Sequence, residues 1–292
     1  MNQQKSFASY WLALPFAFVF LFFFVVPLVL VVVVSFWDYT DYSIIPDFIF
    51  TNYSDIFYGC VSRLPDLCTV FATYISTFKY VFITWIITLV VGFWVAYYLA
   101  FCVKTLPVQI ALFLLCTIPF WTSNVIRMIS WIPLLGRNGL VNQALENFGI
   151  IQEPIDWLLY SGFSVTVAFV HLYTLFMVVP IFNSMMRIDN TLLEAANDAG
   201  ASSWQTLWNV VIPLCKPGIA IGSIFVITVV MGDFITIGVM GGQQIASIGK
   251  IINVEMSYLQ FPSAAANAVI LLALTLMIII ALTRVVDIRK EL

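Results

Sequence analysis

Long apolar runs separated by short polar stretches dominate the chain, and their lengths decide what they form. A helix needs about 20 mostly apolar residues to cross roughly 30 Å of hydrocarbon. Six runs meet that measure, at about 11–36, 78–101, 108–126, 163–187, 218–240 and 264–284. Helices follow rather than a barrel, because in lipid each backbone amide must find its partner inside its own segment. The stretch from about 127 to 162 is amphipathic and holds Pro133, Gly136, Gly139 and Pro154, too many breakers for a spanning helix. The pattern predicts an all-α polytopic membrane protein, a single transmembrane domain over 1–292 with six transmembrane helices. The run from Trp11 to Phe36 exceeds the ~7–15 residues of a signal-peptide core, and Lys5 is a thin basic flank, so it reads as a retained first span.

Composition points the same way. Of 292 residues, 62% are hydrophobic and only 9% charged, against about 25% charged in soluble domains. Such a surface needs lipid as its solvent. No basic stretch exists to neutralise phosphates, which excludes a nucleic-acid partner. Cys60, Cys68, Cys102, Cys116 and Cys215 show no paired CxxC spacing, so neither a zinc nor a redox motif is supported, and no metal site is expected. Cys60 and Cys68 share the first long polar loop, where an oxidising compartment would allow a disulfide between them.

Lysine and arginine set the orientation of a polytopic chain. With the N-terminus in the cytoplasm, the inner side carries Lys5, Lys104, Arg187, Lys216, Arg284, Arg289 and Lys290, seven residues against five (Arg63, Lys79, Arg127, Arg137 and Lys250) outside. Both termini are therefore expected inside, and 188–217 becomes the longest cytoplasmic loop. Its local chemistry predicts two short helices around a glycine. Thr191 with Glu194, and Ser202 with Gln205, fit capping boxes. Gly200 suits the left-handed position after a helix end, and Pro213 and Pro217 are expected to end the second helix before the fifth span. Ala195, Ala196 and Ala199 form a small-residue face that lets another backbone approach, while Trp204 and Trp208 form an aromatic stripe. Two readings stay open on the residues alone: a docking hairpin, or an amphipathic hairpin lying on its own bundle.

The segment resembles the EAA loop of ABC importer permeases, whose pattern is Glu-Ala-Ala, three residues, Gly, nine residues, then Ile-x-Leu-Pro. Here those positions are Glu194, Ala195, Ala196, Gly200, Val210, Ile212 and Pro213, with Val in place of Ile and Ile in place of Leu. The stretches 118–127, 135–142, 231–234, 240–242 and 248–249 look like the spermidine/putrescine importer permeases, although permeases for ferric iron, thiamine and opines share variants of them. The resemblance implies a type I ABC importer permease (MetI-like) fold in the bacterial inner membrane, translocating a small solute, with a polyamine as the leading substrate. It also implies a coupling helix, carried by Glu194, Ala195, Ala196, Gly200, Ile212 and Pro213, that docks on a cytoplasmic ABC ATPase dimer. A second homologous permease subunit and a periplasmic substrate-binding protein would complete the assembly in the lipid bilayer. ATP and Mg would sit on the ATPase, with no cofactor on this chain.

Asp233 is an acidic group in the fifth apolar run, where charge is costly and faces a cavity or a partner. It reads either as a counter-charge on a cationic substrate's path or as a structural pair or hydrogen-bonded helix contact, with Arg127 or a partner subunit. Arg127 itself, at the outer end of the third span, reads as a snorkelling or structural residue, with the substrate path as the second reading. Trp121 is a further path candidate or a belt aromatic, and His171 reads as a hydrogen-bonded packing residue ahead of a relay. Other function classes fare worse. No G-x-x-x-x-G-K-[ST] occurs, and the nearest fragment, Gly249-Lys250, is followed by Ile251. One histidine without HExxH gives a membrane enzyme little to work with. A secondary transporter would often show internal repeats and ten or more spans. The expectation is a non-catalytic subunit of an ATP-hydrolysing complex.

Overall fold

The computed structural model describes residues 7–40, 43–58, 60 and 68–286. Among them, five helices are long and apolar enough to cross a membrane: Leu14–Val34, Thr69–Cys102, Asp156–Met185, Ser203–Gly232 and Phe261–Arg284. A bent pair, Leu106–Trp121 and Asn124–Asn147, turns through 93° and makes a sixth when counted as one span.

Three boundaries differ from the sequence expectation, each for a local reason. The second helix begins at Thr69, about nine residues early, because threonine does not oppose the helix there: the Thr77 hydroxyl returns to the Thr73 carbonyl at 2.9 Å. The third run does not continue straight to 126. Pro119 sits in a 3-10 turn, Ile118–Trp121, after which Thr122 and Ser123 are non-helical and the chain restarts at Asn124. Pro213 and Pro217 do not end a helix. Helix Ser203–Thr206 passes through a π turn, Leu207–Val211, into Ile212–Gly232 with Pro213 in its first turn. The Ile212 amide bonds Leu207 O five residues back, so the π turn takes up the change of phase before the first proline, in a turn where the missing amide is tolerated.

Two compact units divide the chain, one of residues 1–70 with 251–273, the other of 71–250 with 274–292. The larger is built on the packing of Gly162–Met185 against Ile212–Gly232. A Cβ added at Gly218 would lie 2.6 Å from Pro180 O and 2.7 Å from Ser184 Cβ, and one at Gly222 would lie 2.7 Å from Met177 Sδ. The two glycines, one turn apart, let the helix backbones meet, as small residues do between membrane helices. Around this contact Val165, Ala168, Phe169, Met177, Ile181 and Val226 are fully buried. Trp85 of the Thr69–Cys102 helix donates its indole N–H to Ser223 Oγ at 2.8 Å, joining a third helix to the pair.

In the smaller unit the Leu14–Val34 helix carries no buried side chain. Its phenylalanines stack on themselves instead, Phe16 on Phe20 and Phe20 on Phe24 with centroids 6.4 and 5.5 Å apart. Below it Asn52 ties the helix end, donating to Ser35 O at 3.0 Å and Trp37 O at 2.8 Å. A two-stranded antiparallel pair, Asp38–Tyr39 with Ile44–Ile45, follows. Cys60 and Cys68 form a disulfide with Cα atoms 4.7 Å apart. In the returning segment the Glu255 carboxylate accepts from Ser263 Oγ at 2.8 Å and from Asn267 Nδ2 at 3.0 Å on each oxygen.

Candidate functional site

The 189–213 segment folds as helix, glycine, helix. The first helix, Asn190–Asp198, is capped by Asp189, whose carboxylate accepts from the Thr191 amide at 3.0 Å. The expected Thr191–Glu194 box therefore does not form; a carboxylate two residues upstream takes the capping role. At the other end Gly200 has φ +81. Its amide bonds Asn197 O at 2.8 Å while Ala201 bonds Ala196 O at 3.0 Å. That is a Schellman closure, which needs the left-handed backbone that glycine adopts without penalty. Ser202 and Gln205 then form the expected reciprocal box, at 2.8 and 3.3 Å.

No residue of Asn190–Asp198 is buried. Glu194, Ala195, Ala199 and Gly200 are exposed, with Ala196, Ile212 and Pro213 half-buried. Trp204 and Trp208 pack edge to face at 5.8 Å and remain more than half exposed. The inner side of the hairpin, Leu193, Leu207 and Val211, meets Tyr97 and Phe101 across a cavity of about 210 Å³. A second π turn, Tyr98–Cys102, lies on that side. The hairpin thus rests on its bundle by one face and leaves the Glu194 face and both tryptophans free.

The second constellation is a corner at Asp233. The long helix ends at Gly232, Asp233 is extended, and a separate helix, Ile235–Met240, follows. This corrects the reading of Asp233 as lying well inside a run to 240: it stands where two helices meet. Its Oδ1 accepts the Thr236 amide at 2.8 Å and its Oδ2 the Thr236 hydroxyl at 2.6 Å. The Tyr173 hydroxyl, from the neighbouring helix, also donates to Oδ2. Close by, a Cβ on Gly249 would lie 2.9 Å from Gly232 O, and the Ile248 amide bonds Thr77 Oγ1 at 3.1 Å. A cavity of about 260 Å³ opens beside the carboxylate.

Arg127 does not pair with Asp233. Its guanidinium donates to Asn124 Oδ1, the side chain is buried, and Nε has no hydrogen-bond partner. It does not snorkel. His171 Nδ1 accepts from Trp131 Nε1 at 3.0 Å, so this ring is hydrogen-bonded. Trp121 is 84% exposed on the 3-10 turn and is not among the residues around Asp233. Among the described residues no group of three or more His, Cys, Asp or Glu is arranged to hold a metal. Sequence reading missed Tyr173, Asn124 and Thr236. Only Thr236 left a local signal, an Asp with a hydroxyl residue three positions on, as at helix starts.

These features define a class: a polytopic helical membrane permease of the type I ABC importer fold. Two solved structures share it over nearly their whole length. One, a bacterial alginate ABC transporter in complex with an alginate pentasaccharide-bound periplasmic protein, gives a TM-score of 0.75 at 16% identity, over 95% of this chain and 93% of that one. The other, a bacterial ABC transporter involved in the import of alginate, gives 0.73 at 16% identity, over 97% and 96%. The chain belongs to the family of binding-protein-dependent transport system inner membrane components, which matches residues 96–290. Curated relatives include the spermidine/putrescine transport system permease protein PotB of Escherichia coli (strain K12), 36% identical over 186 residues, 63% of this chain and 66% of that protein. PotB of Haemophilus influenzae is 35% identical over 144 residues, 49% of this chain and 50% of that one. The matches thus span about half to two thirds of these relatives' length.

Proposed function

We propose that this chain is the non-catalytic permease subunit of an ATP-driven importer, coupled to a cytoplasmic ABC ATPase dimer through the 189–213 hairpin. The observation that carries it is the hairpin's free face. Glu194, Ala195 and Gly200 are exposed beside two outward tryptophans, in a helix pair whose caps and Schellman closure hold it rigid. A docked ATPase would press on a short lever continuous with the Ser203–Gly232 span. Ala196, Ile212 and Pro213, half-buried, would fix that lever to the bundle. ATP and Mg belong to the partner, and a second permease and a periplasmic binding protein complete the path.

The disulfide supports an orientation. Cys60–Cys68 closes in the segment before the Thr69–Cys102 helix, and disulfides persist on the oxidising side of a membrane. With the bent pair counted as one crossing, this supports a cytoplasmic 189–213 hairpin and cytoplasmic termini. The substrate is a polyamine, supported by the names of the curated relatives and by the carboxylate at the Asp233 corner. On this reading Asp233 lines the path, Arg127 props the adjoining turn, and Trp121 faces the outer boundary.

The test is reconstitution of the complex in vesicles. Glu194→Lys or Gly200→Asp should reduce uptake at least tenfold while the complex still assembles and hydrolyses ATP at its basal rate. Full uptake in either variant would refute the coupling role.

A further inference from the structure

Asp233 accepts three hydrogen bonds, all from neutral groups: the Thr236 amide, the Thr236 hydroxyl and the Tyr173 hydroxyl. A carboxylate near the end of a spanning helix gains far more from a cation than from a hydroxyl, because the local dielectric is low and charge-assisted bonds are roughly twice as strong as neutral ones. The three bonds are not equivalent. The two from Thr236 are local and fix the carboxylate's orientation. The third comes from another helix, sixty residues away in sequence, and shares Oδ2 with the threonine. Tyr173, Thr236 and Asp233 all line the space of about 260 Å³, so what sets Tyr173 apart is that its bond is the non-local one.

From this geometry we infer that the corner is a subsite for a single primary ammonium group, and that the Tyr173 hydroxyl holds the ammonium's place until it arrives. The inference rests on reading the chain as a polyamine path. An arriving –NH3+ donates an N–H to Asp233 Oδ2 in place of the tyrosine hydroxyl. The tyrosine ring stays put. It is buried to 3% exposure and held between Phe169 and Phe176, with centroids at 5.8 and 6.1 Å, and it gives the cation an aromatic neighbour.

The walls of the cavity decide which chain can trail the ammonium. Val125, Met128, Val229, Phe234 and Ile235 are apolar and suit a methylene chain. The cavity, about 260 Å³, has room for an aminoalkyl end, and its volume alone sets no limit on a second charge. Asn124 lines the same cavity and accepts from the buried Arg127 guanidinium. That positive charge discourages a second ammonium from entering with the first. The arrangement selects a chain with one charged end inside and the rest outside.

The probe is radiolabelled 1,4-diaminobutane, measured by equilibrium dialysis on the assembled complex in nanodiscs. ATP hydrolysis stimulated by the binding protein is measured in parallel. Asp233→Asn keeps the bond from the Thr236 amide, removes the charge, and should weaken binding at least tenfold. Tyr173→Phe removes the competing hydroxyl and should tighten it about threefold. 1-Aminobutane should compete within about threefold of the diamine. Unchanged binding in Asp233→Asn, or weaker or unchanged binding in Tyr173→Phe, overturns the proposal. Loss of stimulated hydrolysis in the unmodified complex would instead count against the importer reading. Hydrolysis that persists while the diamine fails to bind rejects the subsite alone.

Discussion

Two spanning helices behave in opposite ways, and the more apolar of them is the one that packs less. Ile212–Gly232 buries ten residues and meets its neighbour at Gly218 and Gly222, close enough that no Cβ fits. Leu14–Val34 buries none and presents leucine, valine and phenylalanine on every side. Hydrophobicity places both in lipid but does not say which one also packs on protein. In a bilayer the lipid is as apolar as leucine, so the helix that packs is the one with small residues spaced to let backbones close.

The comparison breaks most sharply at the glycines. Gly222→Leu must push the paired helices apart, and overpacking of this kind costs about 1–3 kcal/mol or more; the variant should extract as misfolded or aggregated protein by size-exclusion chromatography. Smaller by a little is removal of the bridge that closes the smaller unit. Cys60→Ser with Cys68→Ser reopens a loop of about nine residues and should lose about 2–3 kcal/mol, read as a lower melting temperature of the purified complex. Trp85→Phe deletes the bond to Ser223, worth about 0.6–1 kcal/mol between membrane helices. On the bare helix, Val29→Leu should stay within about 0.5 kcal/mol; a loss as large as that at Gly222 would show that this helix has a protein partner after all.

One prediction concerns pH in the unit that carries the bare helix. Burial pushes the Glu255 carboxyl above its usual range, and the bonds from Ser263 and Asn267 bring it some of the way back. A carboxyl raised on folding favours the fold below its unfolded titration point, and that contribution is lost as pH climbs through the raised value. Neutral pH therefore leaves a charge in a site that disfavours it. Glu255→Gln should melt higher than the unmodified protein at pH 7.5, and the gap should close near pH 4. The Asn267 carbonyl oxygen, buried and without a partner, can turn to accept the new amide.

Much of the hairpin was legible in the sequence because its determinants are local. Gly200, Ser202 and Gln205 act through neighbours no more than four residues away, and they appear as expected. The misreadings were also local in cause. Asp189 outcompeted Thr191 for the cap because the helix starts two residues earlier than that box requires. The Asp233 corner was only half legible. An acid in an apolar run was visible, but the break after Gly232 was hidden by apolar residues on both sides, so the run read as continuous to 240. Tyr173 carried no signal, since its partner lies sixty positions on and is brought near only by the close packing at Gly218 and Gly222.

The π turn at Leu207–Val211 takes up a residue of chain length with little change of angle. It stands between the face that carries Trp204 and the face that carries Gly218 and Gly222, and it holds one residue more than an α-helix would use. Each residue of a helix is worth about 100° of rotation. Deleting one residue there, Asn209 for example, would restore regular α geometry and leave the two faces nearly in phase, because five residues at π spacing turn about as far as four at α spacing. The segment can thus gain or lose one residue while the tryptophan face keeps its aim relative to the packed glycines, so length at this point is tolerated where an insertion in a regular helix would not be.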